Sequence, residues 1–255
     1  MNFYKVDFDG IYSSKEYLFL DEERKIVIKS LFNKKIQGVT GYCSKEAFSL
    51  MNIKFNQIHM PAITLLGSGN YHYITYILLK RISYPFSLVL FDHHNDMQES
   101  LIPDLLSCGN WLRNGLKRNT HLKQVFIFGL GEEQLPSLES VTEKEIHVFP
   151  QNQLNKDEWT EQLLPLVQYP IYISIDKDVF DPKVAYTNWD QGTMKEDFIE
   201  DFFESIDRKL TLIGGDICGE YPISYLSLAN VEYQKRNTIL NKKILKAFHQ
   251  HRNVS

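Results

Sequence analysis

The chain has 255 residues, of which 43% are hydrophobic and 24% charged, so it is long enough to bury a sizeable core. Its formal net charge of −4 gives no electrostatic reason to expect binding to nucleic acid or to an anionic membrane. Its three cysteines form no CxxC pair, and no apolar run approaches the roughly 18 residues that a membrane helix needs. Because the first residues also lack the basic start and apolar run of a signal peptide, we expect a cytoplasmic protein.

Hydrophobic periodicity predicts an alternation of helices and strands along the chain. Residues 22–32 have apolar positions at helical spacing, and residues 44–51 predict a short helix. Further on, strands are predicted at 62–66, 86–91, 123–129, 145–149, 170–175 and 210–214, and helices at 71–82, 104–117, 157–168, 194–209 and 230–249. Thr193 followed by Glu196 predicts a capping box at the start of the helix at 194–209.

This alternation predicts an α/β protein, with helices on both faces of a mostly parallel central sheet. We find no repeat and no linker rich in Pro, Gly or Ser. Residues 1–255 are therefore predicted to form a single domain.

Side chains that metals accept follow the predicted strand at 86–91, where the sequence reads FDHHNDM. In extended backbone, alternate residues point to the same face, so Asp92, His94 and Asp96 would project to one side. Two carboxylates and an imidazole brought together would repel or lack partners unless a cation lay between them. A divalent metal would provide that cation. Taken by itself, this segment is also compatible with a polar strand end that carries a solvated Asp.

Two more predicted strand ends carry the same kinds of side chain. In YISIDKDVFDP, Asp176 and Asp178 lie two residues apart after an apolar run, and in LLGSGNYH, His72 follows a Gly-Ser-Gly turn. Ligands in open α/β sheets bind outside the carboxyl ends of the strands, so the three segments can converge. Four Asp and two His would suffice for two metal ions with shared carboxylates, and carry too much negative charge for one.

The three motifs resemble those of the ureohydrolases (arginase, agmatinase and formiminoglutamase). That family has Gly-Gly-Asp-His, Asp-Ala-His-x-Asp and Ser-x-Asp-x-Asp-x-x-Asp-Pro runs, and this chain has GSGNYH, DHHND and SIDKDVFDP in the same order. All six ligand positions of the family's two-manganese site are matched, by His72, Asp92, His94, Asp96, Asp176 and Asp178. The resemblance implies an arginase-like three-layer α/β/α fold and two Mn²⁺ per chain, with other divalent transition metals as alternatives.

The resemblance also implies a role for each ligand. Asp92 and Asp176 would bridge the two ions. The other four ligands would complete the ions in pairs, His72 with Asp96 and His94 with Asp178. A water held between the ions, its pKa lowered from about 15.7 towards 7, would attack the carbon of a guanidinium. Asp96 would then pass the proton to the leaving amine as a general acid.

The substrate side departs from the family pattern. The family has an Asp-Ile-x-Glu-x-x-Pro run whose Glu holds the guanidinium. Here DICGEYP has Gly219 in that slot and Glu220 one place later. A bulge at Gly219 would restore Glu220 as a catalytic, substrate-binding residue, and otherwise Glu220 points elsewhere. In the arginase run Ser-Gly-Asn-Leu-His, the Asn contacts substrate; Asn110 is retained here, but Leu112 replaces the proton-shuttling His.

Further predictions concern other residues near the motifs. Trp189 and Asp190, in the TNWDQG run after the third motif, would line the pocket and contact a cationic or aromatic group, or else form an exposed turn. Arg113 would meet a substrate carboxylate or lie on a helix surface. His93 alternates to the opposite face from the ligands, so we expect it to be packed behind the site.

The sequence therefore predicts a binuclear manganese hydrolase that cleaves a C–N bond of a small guanidino, amidino or formimino compound. Leu112, the displaced Glu220 and the degenerate first motif argue against a plain arginase. Two alternatives stay open: a metal-dependent amide hydrolase such as a deacetylase, and a catalytically silent metal-binding homologue. We expect a small-molecule substrate as partner, no nucleic acid and no membrane, and the family's usual trimers or hexamers make a homo-oligomer a further expectation.

Overall fold

The computed structural model describes residues 1–13, 28–32, 36–100, 102–138, 144–153, 156–222, 229–251 and 253. The strands in this part of the chain are β1 (Asn2–Val6), β2 (Ile28–Phe32), β3 (Tyr42–Cys43), β4 (Ala62–Leu65), β5 (Phe86–Phe91), β6 (Leu106–Ser107), β7 (Leu122–Phe128), β8 (Glu145–Phe149), β9 (Ile171–Asp176) and β10 (Leu212–Cys218). The α-helices are α1 (Lys45–Lys54), α2 (Ile74–Leu79), α3 (Trp111–Arg118), α4 (Lys156–Leu166), α5 (Asp197–Ile206) and α6 (Ala229–Gln250).

An eight-stranded sheet forms the centre of the described structure, in the order β2-β1-β4-β10-β9-β5-β7-β8. Every pairing in it is parallel. β3 and β6 form a separate antiparallel pair. Parallel strands must be joined by crossovers, and their carboxyl ends therefore all lie along one edge of the sheet.

The two faces of the sheet bury different helices. One apolar cluster contains residues of α1, α2 and α3, and the other contains residues of α4, α5 and α6. The central strands β5 and β9 are buried at every position, as expected for strands covered on both faces. The predicted three-layer α/β/α architecture with a mostly parallel sheet is thus confirmed. None of the described helices is long and apolar enough to cross a bilayer.

Sequence patterning located the buried strands better than the helix ends. β5 and β8 have the predicted bounds, and the predicted strands at 62–66, 123–129 and 170–175 agree with β4, β7 and β9 to within a residue at each end. The predicted helix at 71–82 is shorter, because a 3-10 turn over 69–71 precedes α2. The predicted helix at 104–117 begins only at Trp111, since β6 occupies part of its first half.

Three local predictions were wrong. Residues 28–32 form β2 rather than the end of a helix, and the remainder of the helix predicted at 22–32 lies outside the described residues. The capping box is absent: α5 has Glu196 at its N-cap with no side-chain capping bond. The strand predicted at 210–214 runs instead from Leu212 to Cys218, which carries it to the edge where the metal-type side chains lie.

Candidate metal centre

Four strand ends meet at the carboxyl edge of the sheet. β4, β10, β9 and β5 are consecutive neighbours, and three of them, β4, β9 and β5, are followed or ended by predicted metal ligands. His72 follows β4 after the Gly67–Gly69 turn, Asp92 follows β5, and Asp176 ends β9. The sheet order therefore brings together residues that are about a hundred positions apart in sequence.

The segment after β5 is bent rather than extended. His94 N–H donates to the Asp92 carboxylate at 2.7 Å, and Asp96 has a φ of +49°. Asp tolerates this left-handed backbone better than most residues. The Asp96 carbonyl accepts the backbone N–H of Leu112 at 3.1 Å, so the start of α3 holds the bend in place. The predicted convergence of Asp92, His94 and Asp96 is found, but a turn produces it, not strand alternation.

His72 lies at the centre of the first group of candidate ligands. Its Nδ1 lies 3.2 Å from Asp92 Oδ2, 3.0 Å from Asp96 Oδ2 and 3.3 Å from Asp176 Oδ2. The second group adjoins it: His94 Nδ1 is 2.9 Å from Asp178 Oδ2 and 3.8 Å from Asp92 Oδ1. Asp92 belongs to both groups, and five of the six side chains are buried, His94 being partly exposed. All six predicted metal ligands are therefore gathered in one site.

A buried hydrogen-bond network fixes which nitrogen of His72 faces the carboxylates. Ser174 donates its hydroxyl proton to Asp216 Oδ1 at 2.7 Å, so Ser174 Oγ accepts from His72 Nε2–H at 3.0 Å. Thr75 and Tyr172 also donate to Asp216, at 3.0 and 2.8 Å. His72 is thereby held with Nδ1 facing three carboxylates, and a metal ion bound there would replace the proton on Nδ1, as in metal-binding histidines.

The electrostatics of the site show the cost of leaving these groups without a cation. Burial and the neighbouring Asp178 and Asp96 raise the pKa of Asp92 well above its usual range. Burial would lower the pKa of His94, but its hydrogen bond to Asp178 and the negative charges of Asp178, Asp92 and Asp96 together outweigh this effect and raise the pKa to about 10. The site would therefore take up protons to relieve its negative charge, or accept cations in their place.

The side chains present fit a divalent metal site. Carboxylate oxygens and imidazole nitrogens are the donors that Mn²⁺ and its neighbours accept. Asp92 Oδ2 is buried without a hydrogen-bond partner and faces the His72 group, whereas Asp92 Oδ1 faces His94. The structure gathers His72 with Asp92 and Asp96, and Asp92 with His94 and Asp178, as groups able to hold an ion each.

Comparison with known proteins shows the same relationship as the motifs. A family model described as the arginase family matches residues 33–223. The chain belongs to the arginase family. An uncharacterized protein of Thermotoga maritima is 32% identical over 216 residues, which cover 84% of this chain and 78% of that protein. The resemblance to the ureohydrolases is therefore confirmed, and membership of the arginase family supports a hydrolase of that type.

Solved structures of low sequence identity share the arginase-family fold. The proclavaminate amidino hydrolase of Streptomyces clavuligerus superposes with a TM-score of 0.69 at 15% identity, covering 97% of this chain and 91% of that one. The agmatine ureohydrolase of Thermoplasma volcanium gives 0.66 at 17% identity, covering 96% and 87%. At these identities the likeness concerns the fold alone.

A cleft of about 330 Å³ opens over the candidate metal centre. Besides the six ligands, its lining includes Tyr42, Asn70, Gln98, Ser107, Cys108 and Trp189. Trp189 is 41% exposed, and its indole lies against Gly69, where a Cβ would come within 2.9 Å of Trp189 Cδ1. Trp189 thus lies at the pocket wall, which is one of the two positions predicted for it.

Two other predicted substrate residues lie elsewhere, and Arg113 also faces away from the cleft. Asp190 is exposed and outside the cleft lining. Asn110 is buried in the loop before α3, where it accepts from Ser107 N–H at 2.8 Å and donates to the Leu105 carbonyl at 2.9 Å. Arg113 forms an ion pair with Glu99. Each of these polar groups therefore has a local structural role or faces solvent, and we do not carry them into the substrate site.

Glu220, predicted to contact substrate, is 1% exposed and does not line the cleft. Its Oε1 lies 2.5 Å from Nζ of Lys177, which is fully buried, and accepts from Asn241 at 2.6 Å. Gly219 does adopt a left-handed φ of +88°, but the turn directs Glu220 to this internal cation instead of restoring a substrate contact. In this structure Glu220 is the partner of a lysine.

Four residues around the site were not predicted from the sequence. Trp111 Nε1–H donates to Asp96 Oδ2, and its ring lies 4.7 Å from that of His72. Lys177 and Asn241 surround Glu220, and Cys218 Sγ donates to Asp176 Oδ2 at 3.0 Å. The available signal was spacing: Cys218 follows Asp216 by two residues in a strand, and strand alternation predicts that both face the same side.

Proposed function

We propose that the protein is a binuclear metal hydrolase, with Mn²⁺ as the first candidate ion, that cleaves a C–N bond of a small guanidino, amidino or formimino compound. The observation that carries this proposal is the convergence of four Asp and two His, in two groups that share Asp92, at the strand ends of an arginase-family fold. The names of two similar structures, an amidino hydrolase and an agmatine ureohydrolase, support the same class of bond.

Each group of side chains would hold one ion. Asp92 and Asp176 are the candidates for shared ligands, His72 and Asp96 for the first ion, and His94 and Asp178 for the second. When bound, the ions supply Lewis-acid chemistry and lower the pKa of water in the site towards neutrality. The protein's contribution is to hold the ligands in a buried, pre-formed arrangement before the ions arrive.

Asp96 is our candidate for the group that transfers the proton to the leaving nitrogen. It lines the cleft, so its carboxylate can reach a substrate. The indole N–H of Trp111 donates to Oδ2, and the carbonyl of Asp96 receives the N–H of Leu112. Both contacts fix the carboxylate relative to His72, which matters because general acids act only within hydrogen-bonding distance.

A second candidate reaction is hydrolysis of a neutral amide-type bond on the same centre. The specific observation in its favour is the ion pair of Glu220 with Lys177, which neutralises the acidic group nearest to the family's guanidinium-binding position. Beyond the six candidate ligands, no carboxylate lines the cleft among the described residues. A cationic guanidinium would therefore rely on the ligands and on Trp189.

The test is a turnover screen with the purified, Mn²⁺-loaded protein. The assay measures urea, ammonia or formamide released from arginine, agmatine, guanidinobutyrate, guanidine and formiminoglutamate. With N-acetylated amines it measures acetate. Release of urea, ammonia or formamide from a guanidino or formimino compound is the expected result. Release of acetate alone would select the amide reaction. Two bound ions without any turnover would refute catalysis.

Asp96→Asn tests the proton-transfer role. We expect a loss of kcat of about 10²- to 10⁴-fold, the usual contribution of a general acid. Metal content is measured alongside, because the amide retains one oxygen and should leave at least one ion bound. The control is Asp104→Asn, whose carboxylate is exposed and pairs with Arg118. Normal turnover by Asp96→Asn with full metal content would show that another group moves the proton.

A further inference from the structure

Cys218 brings a sulfur atom to the edge of the candidate metal centre. It is the last residue of β10, is fully buried, and pairs in parallel register with Asp176 of β9. Its Sγ lies 3.0 Å from Asp176 Oδ2. His72, Asp176 and Cys218 form a third buried group of potential ligand atoms, all within 4.8 Å of one another.

The backbone after Cys218 is built for this close approach. Gly219 has a φ of +88°, and a Cβ there would lie 2.5 Å from Asp176 Oδ1 and 2.6 Å from the Lys177 backbone nitrogen. Only glycine lets the two strand ends come so near. The N–H of Glu220 then donates to the Gly67 carbonyl at 3.0 Å, which ties the end of β10 to the turn before His72.

A second observation, on a neighbouring carboxylate, also points to a cation at this corner of the site. Asp92 Oδ2 is buried with no hydrogen-bond partner and lies 3.2 Å from His72 Nδ1. Donors bound to one ion at about 2.0–2.3 Å are separated by roughly 3–3.5 Å. The separations of 3.3 Å from Asp176 Oδ2 to His72 Nδ1 and 3.0 Å to Cys218 Sγ have this size.

We propose that Cys218 is a sulfur ligand of the ion held by His72 and Asp176. This inference rests on the proposed metal centre and adds a donor that the ureohydrolase motifs do not contain. Binding forms a sulfur–metal bond and releases the thiol proton to the buffer, with no change of oxidation state. A thiolate is a soft donor, so this position would favour Co²⁺, Fe²⁺ or Zn²⁺ over Mn²⁺.

Cobalt substitution tests the proposal without an activity assay. Sulfur bound to Co²⁺ gives a strong near-ultraviolet charge-transfer band, which oxygen and nitrogen donors do not. We expect this band in the wild type, its loss in Cys218→Ser, and at least a tenfold shift of the Co²⁺/Mn²⁺ affinity ratio towards Mn²⁺ in that variant. Cys43→Ser and Cys108→Ser are the matched controls and should keep the band, because neither thiol belongs to a ligand group in the described structure.

The outcomes separate this inference from the proposed function. Two bound cobalt ions without the band, or a band retained in Cys218→Ser, would overturn sulfur ligation and leave the metal centre intact. A wild-type protein that binds neither cobalt nor manganese would overturn the proposed function itself. X-ray absorption of the zinc-loaded wild type needs no variant, and it should show a sulfur neighbour at about 2.3 Å. A shell of oxygen and nitrogen alone would contradict the proposal even if Cys218→Ser fails to fold.

Discussion

Lys177 and Glu220 form an ion pair with almost no access to water, at exposures of 0% and 1%. Burial lowers the pKa of the Lys177 ammonium, and the Glu220 carboxylate opposes that effect. Two buried charges at 2.5 Å compensate each other's loss of hydration, whereas either one alone would be buried without its counter-ion. Removing one partner should therefore destabilise the fold strongly, although the intact pair contributes little net stability.

Lys177→Met is expected to lower the free energy of unfolding by about 3–5 kcal/mol, because it leaves the Glu220 carboxylate buried without its cation. The double variant Lys177→Met/Glu220→Gln should recover most of that loss, since the amide still accepts from Asn241. Urea unfolding of both variants and of Glu220→Gln completes the cycle. Additive losses, with no recovery in the double variant, would mean that the two side chains are not energetically coupled.

At the residue scale, motif spacing predicted which side chains would meet but not how they would be held. The six candidate ligands could be listed because strand ends in a parallel sheet share an edge. Glu220 could not be placed, since its orientation depends on the left-handed turn at Gly219 and on a lysine 43 positions earlier in the chain. A single sequence does not reveal which carboxylate will form an ion pair with a buried lysine.

Helix α5 is attached to the sheet through aromatic rings. Phe202 is fully buried, and its ring centroid lies 4.9 Å from that of Phe91 on β5 and 5.5 Å from that of Trp159 on α4. The Phe91 contact is edge-to-face and the Trp159 contact is stacked, two geometries that aromatic pairs favour. This cluster joins both elements to the strand that leads into Asp92.

Phe202→Ala is expected to cost about 3–5 kcal/mol of unfolding free energy, through lost burial and the cavity left between α5 and the sheet. Urea denaturation of the variant and the wild type measures this difference in unfolding free energy. Ile53→Ala on α1 is the matched control, because that side chain is 70% exposed and its removal should change stability by no more than about 0.5 kcal/mol. A comparable loss in both variants would indicate that the cluster does not anchor α5.

Strands that are buried on both faces of the sheet could be predicted, because their sequences are continuous apolar runs. β5 and β9 are such strands, and their ends could be read to within a residue. β2 was misread as helix because an edge strand alternates weakly: its pattern has two buried residues after two exposed ones. The start of α5 was misplaced because the backbone at Thr193 does not begin the helix, so the spacing of Thr193 and Glu196 carried no capping bond.

At the scale of the whole molecule, the candidate metal centre concentrates buried negative charge that a bound cation would offset. Four carboxylates lie within one buried region, and burial raises the pKa of two of them, Asp92 and Asp178. Divalent ions that bind the folded state but not the unfolded state stabilise the folded state by mass action. Ion binding should therefore appear directly in thermal stability.

Divalent ion at a hundred times its dissociation constant should add about 2.7 kcal/mol, which corresponds to a rise in Tm of roughly 5–10 °C for a chain of this size. Scanning calorimetry with MnCl₂ and with a chelator measures the difference, and sodium chloride at equal ionic strength controls for screening. Asp92→Asn should respond much less to the ion, while melting at least as high as the wild type in chelator, since it removes one of the crowded charges. An equal Tm with and without ion would contradict a pre-formed site.

The three tryptophans occupy three different environments, and this gives the molecule an intrinsic optical signal. Trp159 is enclosed in the aromatic cluster, Trp111 lies beside His72, and Trp189 is the exposed one, on the wall of the cleft. Fluorescence quenching by a paramagnetic ion would act on both indoles near the candidate ligands, Trp111 beside His72 and Trp189, whose ring lies 6.1 Å from that of His94. A soluble quencher would reach the indole on the cleft wall, until a substrate covered it. Cleft occupancy can thus be followed in the unlabelled protein.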